Sequence, residues 1–140
     1  MKCLSLMQPW ATLVLLGAKR YETRDWQTEY RGALASHASR TFPEAARVLC
    51  AHEPFRSVLR AGGFNQPADL GRGVLLGTVE LIDCRPAQEV LARLPAGAAE
   101  AAFGDFRAGR WAWELARPGL FDHPTRYVGR LGLFDVPEPS

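Results

Sequence analysis

Apolar residues along this chain come in short runs whose period switches between strand-like and helix-like. Cys3-Leu4-Ser5-Leu6-Met7 reads as a short buried strand. Gln8-Pro9-Trp10 follows, and Pro9 suits the first position of a helix, where its missing N–H is harmless. Ala11 to Leu16 continues that helix and Gly17 is its natural stop. Ala18 to Trp26 then reads as a connector running into a strand. In a regular strand Glu22, Arg24 and Trp26 share one face. Lys19 is out of phase with them, so it joins that group only across a turn or bulge.

Gly32 to Ser39 predicts a second strand, with His37 and Ser39 on one face and Leu34, Ser36 and Ala38 on the other. Pro43 to His52 predicts a helix, and Phe55 to Ala61 a second, ended by Gly62-Gly63. Gln66 to Gly73 is a polar loop, and Val74 to Cys84 carries the strongest strand signal. Pro86 to Leu94 predicts a helix, Pro95 to Ala99 a loop, and Arg110 to Leu115 and Arg130 to Val136 the remaining strands. Strands and helices mix without regular βαβ alternation, repeats or an internal linker. The expectation is an α+β fold, a small mixed β-barrel with peripheral helices.

The length of 140 residues fits one domain, expected over residues 1–136, with 137–140 as a C-terminal tail. No apolar run approaches the roughly 20 residues that cross a bilayer, and no signal peptide is visible. The odd, widely spaced cysteines Cys3, Cys50 and Cys84 form no CxxC pair, which fits free thiols in a reducing compartment and predicts a cytoplasmic protein. The net charge of +2 is weaker than the footprint of a strong duplex-DNA binder, yet it leaves room for a local basic groove. Arginine far outnumbers lysine, as a GC-rich coding bias would produce. Against that background Lys19 stands out, because a buried lysine can lose its proton and an arginine cannot.

Signatures of the GxGxxG, P-loop, HExxH and GxSxG types are absent, and His37, His52 and His123 lack metal-ligand spacing. No cofactor or metal is implied. Lys19, Glu22 and Arg24 set two cations beside one carboxylate. Such a trio can hold a phosphate or a base edge or activate a water, and it also occurs as a plain surface salt-bridge cluster. Trp10 is the first candidate for stacking on a base, with Trp26 beside it; Trp113 reads as core. His37 and Ser39 are candidates to line the same cleft, with a structural histidine as the other reading. Arg107, Arg110, Arg117, Arg126 and Arg130, countered by only Glu114 and Asp122, form either a phosphate-attracting patch or a solvated basic face.

Ser5-Leu-x-Gln8-Pro9-Trp10-Ala, followed by Gly17-x-Lys19-x-x-Glu22-x-Arg24-x-Trp26, resembles the opening motif of ASCH domains. Tyr30-Arg-Gly32 with Ser36-His37-Ala-Ser39, Gly77 to Cys84, the Trp113 strand and Arg130 to Val136 continue the resemblance in order along nearly the whole chain. It implies a PUA-like mixed β-barrel, a cleft beside the GxKxxExR element, and RNA binding as the general expectation. The family also includes described ribonucleases, amidohydrolases of acetylated cytidine and coactivator-associated members. In the amidohydrolases a threonine stands where this chain has Glu22, and many relatives end the Trp113 strand with a Glu-Asn pair where Ala116 and Arg117 stand here.

Two readings follow. In the first, the domain binds single-stranded or modified RNA, or a nucleoside-like small molecule, through Gln8, Pro9, Trp10, Lys19, Glu22, Arg24, Trp26, His37 and Ser39. In the second it is a metal-independent hydrolase, a ribonuclease or modified-nucleoside amidohydrolase, with Lys19 stabilising an oxyanion or orienting water and Glu22 as general base. No membrane partner is expected, and neither the oligomeric state nor the role of residues 56–73 is legible.

Overall fold

The computed structural model describes residues 1–138; the last two residues of the expected tail lie outside that range. Strand β1 (Lys2–Leu6) leads into helix α1 (Trp10–Leu15), whose residues Ala11 to Leu15 are all buried. A helix apolar on every side belongs inside the molecule, and α1 packs against β3, β4 and β5. Its start is tied down by Gln8, whose Oε1 accepts the Thr12 N–H at 3.0 Å and whose Nε2 donates to the Gly71 carbonyl at 2.8 Å. Its end is set by Gly17 at φ +79°, a left-handed conformation that favours glycine. The expected positions of both ends therefore hold.

Strands β2 (Tyr21–Arg24) and β3 (Gly32–Ala38) follow, then helices α2 (Glu44–Leu49) and α3 (Phe55–Ala61), a short 3₁₀ turn (Pro67–Asp69), and strand β4 (Val74–Pro86). Helices α4 (Ala87–Arg93) and α5 (Ala99–Phe103) lead to strands β5 (Trp111–Arg126) and β6 (Leu133–Asp135). The sheet is six-stranded in the order β2-β5-β4-β3-β1-β6, with β1 and β3 parallel and the other pairs antiparallel. It curls into a half-barrel around α1, giving the expected α+β architecture. One apolar cluster, with Trp113 and Leu4 at its centre, lies between α1 and the sheet. A second, built from Leu13, Phe55, Leu59 and Phe103, joins the far side of α1 to α3 and α5.

Four expectations need correction. Strand β5 runs on to Arg126 rather than ending at Leu115, although it contains Pro118 and Pro124. Register shifts absorb both prolines: Ala116 pairs with Glu80 and Gly119 with Thr78, so Arg117 and Pro118 together face Val79. A proline without an N–H is harmless where the ladder is already broken, and Arg117 takes a φ of +50° there. The loop expected over Pro95 to Ala99 holds as far as Ala98, and helix α5, which was not expected, follows it. The strand expected over Arg130 to Val136 shrinks to β6, leaving residues 130–132 in a loop. Trp26 and Ser39 lie just outside β2 and β3. No helix among the described residues is long and apolar enough to cross a membrane.

Candidate functional site

After Gly17 the chain turns tightly, with the Ala18 and Lys19 N–H groups both donating to the Leu13 carbonyl. This turn brings Lys19 into line with β2. The Lys19 ammonium is 1% exposed. It donates to the Phe103 carbonyl at 2.8 Å and stands 3.6 Å from Glu22 Oε1. Glu22 Oε2 accepts from Arg24 Nε at 2.9 Å, and Arg24 Nη2 reaches the Ser5 carbonyl at 2.9 Å. The trio is thus a chain of charge pairs that is buried at Lys19 and Glu22 and reaches the surface at Arg24. Burial pushes the Lys19 ammonium below its ordinary range, while Glu22 and Glu100 pull it back up.

Glu100 on α5 is a buried acid that gave no recognisable signal beyond its place in an Ala-rich apolar stretch. Its carboxylate accepts the backbone N–H of Arg20 at 2.7 Å and of Tyr21 at 3.3 Å, fixing the approach to β2. Burial pushes its carboxyl up, opposed chiefly by the Arg20 N–H and by the Lys19 charge.

Two cavities meet over this framework. The first, about 580 Å³, is lined by Trp10, Lys19, Glu22, Arg24 and Trp26, with Phe103 and Asp105 opposite. The second, about 1250 Å³, is lined by Arg24, Arg40, Arg72, Arg126 and Arg130, together with His37, Ser39 and the segment 127–132, and among the described residues no carboxylate borders it. Ser5, Met7 and Arg24 belong to both linings, so the cavities adjoin. The topology explains the convergence. The Gly73 N–H donates to the Ala38 carbonyl, and the Tyr127 N–H donates to the Gly73 carbonyl. Those two bonds bring the ends of β3 and β5 and the start of β4 together, and with them Arg40, Arg72 and Arg126. Arg24 is paired with Glu22, whereas Arg40, Arg72, Arg126 and Arg130 have no ion-pair partner among the described residues.

The expected site residues therefore divide. Trp10, Lys19, Glu22, Arg24 and Trp26 share the smaller cavity, and Arg24, His37 and Ser39 share the larger. Gln8 and Pro9, expected among the ligand contacts, are buried and line neither cavity, and Gln8 instead ties down the start of α1. His37 is 1% exposed, with both ring nitrogens engaged. Trp26 is half-buried and meets Trp113 edge-on, with ring centroids 4.7 Å apart. The basic stretch from Arg107 to Arg130 separates too. Arg107 and Arg110 pair with Asp105 at 2.6 and 3.4 Å and Arg117 pairs with Glu80, leaving Arg126 and Arg130 for the cleft. Arg40 and Arg72 were not singled out from the sequence, because they lie on separate turns that only the sheet order brings together. Among the described residues no group of three or more His, Cys, Asp and Glu side chains is placed to hold a metal ion. Cys3, Cys50 and Cys84 are free, and burial pushes the Cys3 thiol up to about 12.

Comparison with known proteins gives consistent findings. The model of the ASCH domain matches residues 4–122. Activating signal cointegrator 1 from Homo sapiens is 39% identical over 93 residues, which is 66% of this chain and 16% of that protein; the Mus musculus protein gives the same figures. This chain thus matches only a small part of those relatives. Among solved structures, an ASCH protein from Zymomonas mobilis superposes with a TM-score of 0.58 at 11% identity, covering 98% of this chain and 87% of that one. A mutant form of the Z. mobilis protein gives a TM-score of 0.57 at 12% identity, covering 98% and 90%.

Proposed function

This chain belongs to the ASCH domain family, and on that premise we propose that it is an RNA-binding domain that recognises single-stranded or modified RNA in its cationic cleft. One observation carries the reading: Arg40, Arg72, Arg126 and Arg130, all without carboxylate partners among the described residues, converge on a cavity of about 1250 Å³ that joins a second cavity holding Trp10 and Trp26. Guanidinium groups suit phosphate oxygens, and a nearby aromatic face suits an unstacked base. Val128 and Leu131, 85% and 100% exposed on the rim, offer further apolar contact to bases. Lys19 and Glu22 act beneath this surface by holding Arg24 in place.

The test is fluorescence anisotropy with short labelled single-stranded RNAs across a salt series. Binding should weaken linearly in log–log form, by about 0.7 per phosphate neutralised for a single strand. Salt-independent binding, or none, would sink the reading. The competing reading, a metal-independent hydrolase using Lys19 and Glu22, draws support from the Glu22 carboxylate at the wall of the smaller cavity. Its mark would be product formed from RNA or a modified nucleoside, followed by mass spectrometry and lost in Glu22→Gln.

A further inference from the structure

Ser5 lines both cavities and His37 the larger one, and the binding reading leaves the chemistry of the pair unused. They are register partners across the parallel pair of β1 and β3. Ser5 Oγ stands 2.8 Å from His37 Nδ1, and His37 Nε2 stands 2.7 Å from the Tyr127 carbonyl oxygen. A carbonyl oxygen only accepts, so Nε2 carries a proton. In the neutral imidazole Nδ1 is then the acceptor, and the Ser5 hydroxyl donates to it. Gly129 closes over the pair: a Cβ there would come within 2.7 Å of His37 Cε1 and 3.1 Å of Ser5 Oγ. The imidazole is sealed and its orientation fixed, while Ser5 lines both cavities. Nucleophile, base and orienting acceptor thus stand in the relation that an activated serine requires, with a backbone carbonyl as the orienting group.

We propose that Ser5 is a nucleophile with His37 as its general base, acting on a phosphate monoester. The dyad stands on its own geometry; the choice of substrate rests on the anion-binding reading above. A terminal phosphate carries about two negative charges at neutral pH, against one for a chain diester. A cavity lined by Arg24, Arg40, Arg72, Arg126 and Arg130 with no carboxylate matches the more highly charged group. In the first step Ser5 Oγ attacks phosphorus and its proton passes to His37 Nδ1. The Oγ–P bond forms as the bond from phosphorus to the departing alcohol oxygen, opposite Oγ, breaks, and that oxygen takes a proton from solvent. Water then attacks the phosphoserine from the vacated side and gives a proton to solvent. The Oγ–P bond breaks, inorganic phosphate leaves, and Ser5 Oγ takes its proton back from His37 Nδ1.

The test pairs two experiments on the whole chain. A fluorophosphonate reagent, which loses fluoride as serine oxygen bonds to its phosphorus, is followed by intact-mass and peptide mass spectrometry. We expect a single adduct on Ser5, absent in Ser5→Ala and formed at least about 100-fold more slowly in His37→Gln. Should His37→Gln fail to fold, Gly129→Ala, which pushes the imidazole away from Ser5, must slow the adduct as well. A 5′-phosphorylated single-stranded RNA is then offered, with release of inorganic phosphate as the readout. The wild type should release it, and Ser5→Ala should release none. No adduct on Ser5, an adduct rate unchanged in His37→Gln, or no phosphate release overturns the proposal. Failure of the wild type to bind RNA overturns the binding reading instead, and the adduct experiment, which needs no RNA, distinguishes the two.

Discussion

Replacing Lys19 by methionine removes a buried cation while keeping most of the aliphatic stem, so it tests whether Lys19 is a structural post or a ligand contact. Three effects compete. The Phe103 carbonyl loses its donor at 2.8 Å, and a buried acceptor left unpaired costs about 1–3 kcal/mol. Glu22 loses a cation at 3.6 Å but keeps Arg24 at 2.9 Å. The loss therefore stays below the roughly 3–5 kcal/mol seen when a buried charge is left uncompensated. Removing the ammonium also ends its own desolvation penalty, which returns part of the loss. The balance is a destabilisation of about 2 kcal/mol, dominated by the orphaned carbonyl. In urea this moves the midpoint down by about 1 M for a slope of about 2 kcal/mol per molar.

The pH dependence adds a sign to the magnitude. Burial lowers the Lys19 pKa in the folded state. Between that lowered value and the ordinary lysine value the unfolded chain holds a proton that the folded chain has lost. Wild-type stability gains a rising contribution across that alkaline window, because the unfolded state binds more protons there. Lys19→Met lacks this contribution, so its deficit against the wild type should widen as pH rises. The assay is urea denaturation of both proteins at several pH values, with anisotropy on the folded variant. RNA affinity of folded Lys19→Met should change by less than about threefold, well under the 1.4 kcal/mol of a tenfold change. An unchanged midpoint, a deficit that narrows with pH, or a loss of affinity without loss of stability would each refute the argument.

The remaining predictions concern the cleft and its supports. Arg126→Gln with Arg130→Gln should weaken RNA binding and reduce the slope of log affinity against log salt by about 1.4, twice the single-strand value per phosphate, as measured by the same titrations; an unchanged slope would remove these arginines from the interface. Trp10→Ala should weaken binding by about 1–3 kcal/mol at constant salt slope if one base stacks there, which a titration at fixed ionic strength reads. Gln8→Leu should cost about 2–4 kcal/mol in urea denaturation, because the Thr12 N–H and the Gly71 carbonyl both lose their partner. For Glu100 the sign is opposite to Lys19. Its folded pKa is raised, so its contribution to stability is present at low pH and lost as pH rises through that folded value. Glu100→Gln should flatten that fall in an acid-range urea series.

What could be read from the chain and what could not differ in the range of the interactions involved. Helix α3 was legible over its whole length because its apolar spacing and the Gly62 stop are local. The Lys19–Glu22–Arg24 trio was legible for the same reason, since one turn after Gly17 suffices to bring it together. Strand β5 was not, because Pro118 and Pro124 break the local pattern and only the register against β4 shows that they fall where the ladder is already interrupted. Arg40 and Arg72 carried no motif; their convergence depends on Gly73 bonding to both Ala38 and Tyr127. The choice between a phosphate-attracting patch and a solvated face from Arg107 to Arg130 stayed open in the sequence for the same kind of reason. Alternate pairings to Asp105 and Glu80 divide it in ways that counting charges along the chain cannot show.

That division bears on how a domain with a net charge of +2 can attract a polyanion. Net charge averages over a surface, while a ligand meets the field of one cleft. Several of the acids here stand opposite arginines elsewhere: Asp83 beside Arg85, Asp105 beside Arg107, Glu53 beside Arg56. Glu22 is held between Lys19 and Arg24 below the smaller cavity. With these charges neutralised in place, the arginines at 40, 72, 126 and 130 stand opposite no carboxylate of the described residues in the larger cavity. Moving one acid into that lining tests this directly. Ser39→Asp leaves the framework of β1, α1 and β2 untouched and changes the net charge by a single unit. If the local field governs binding, this variant should lose more RNA affinity than Ser57→Asp, which makes the same change of charge on exposed α3, away from the cleft. Equal losses would mean that overall charge, not the arrangement of the cleft, draws the ligand.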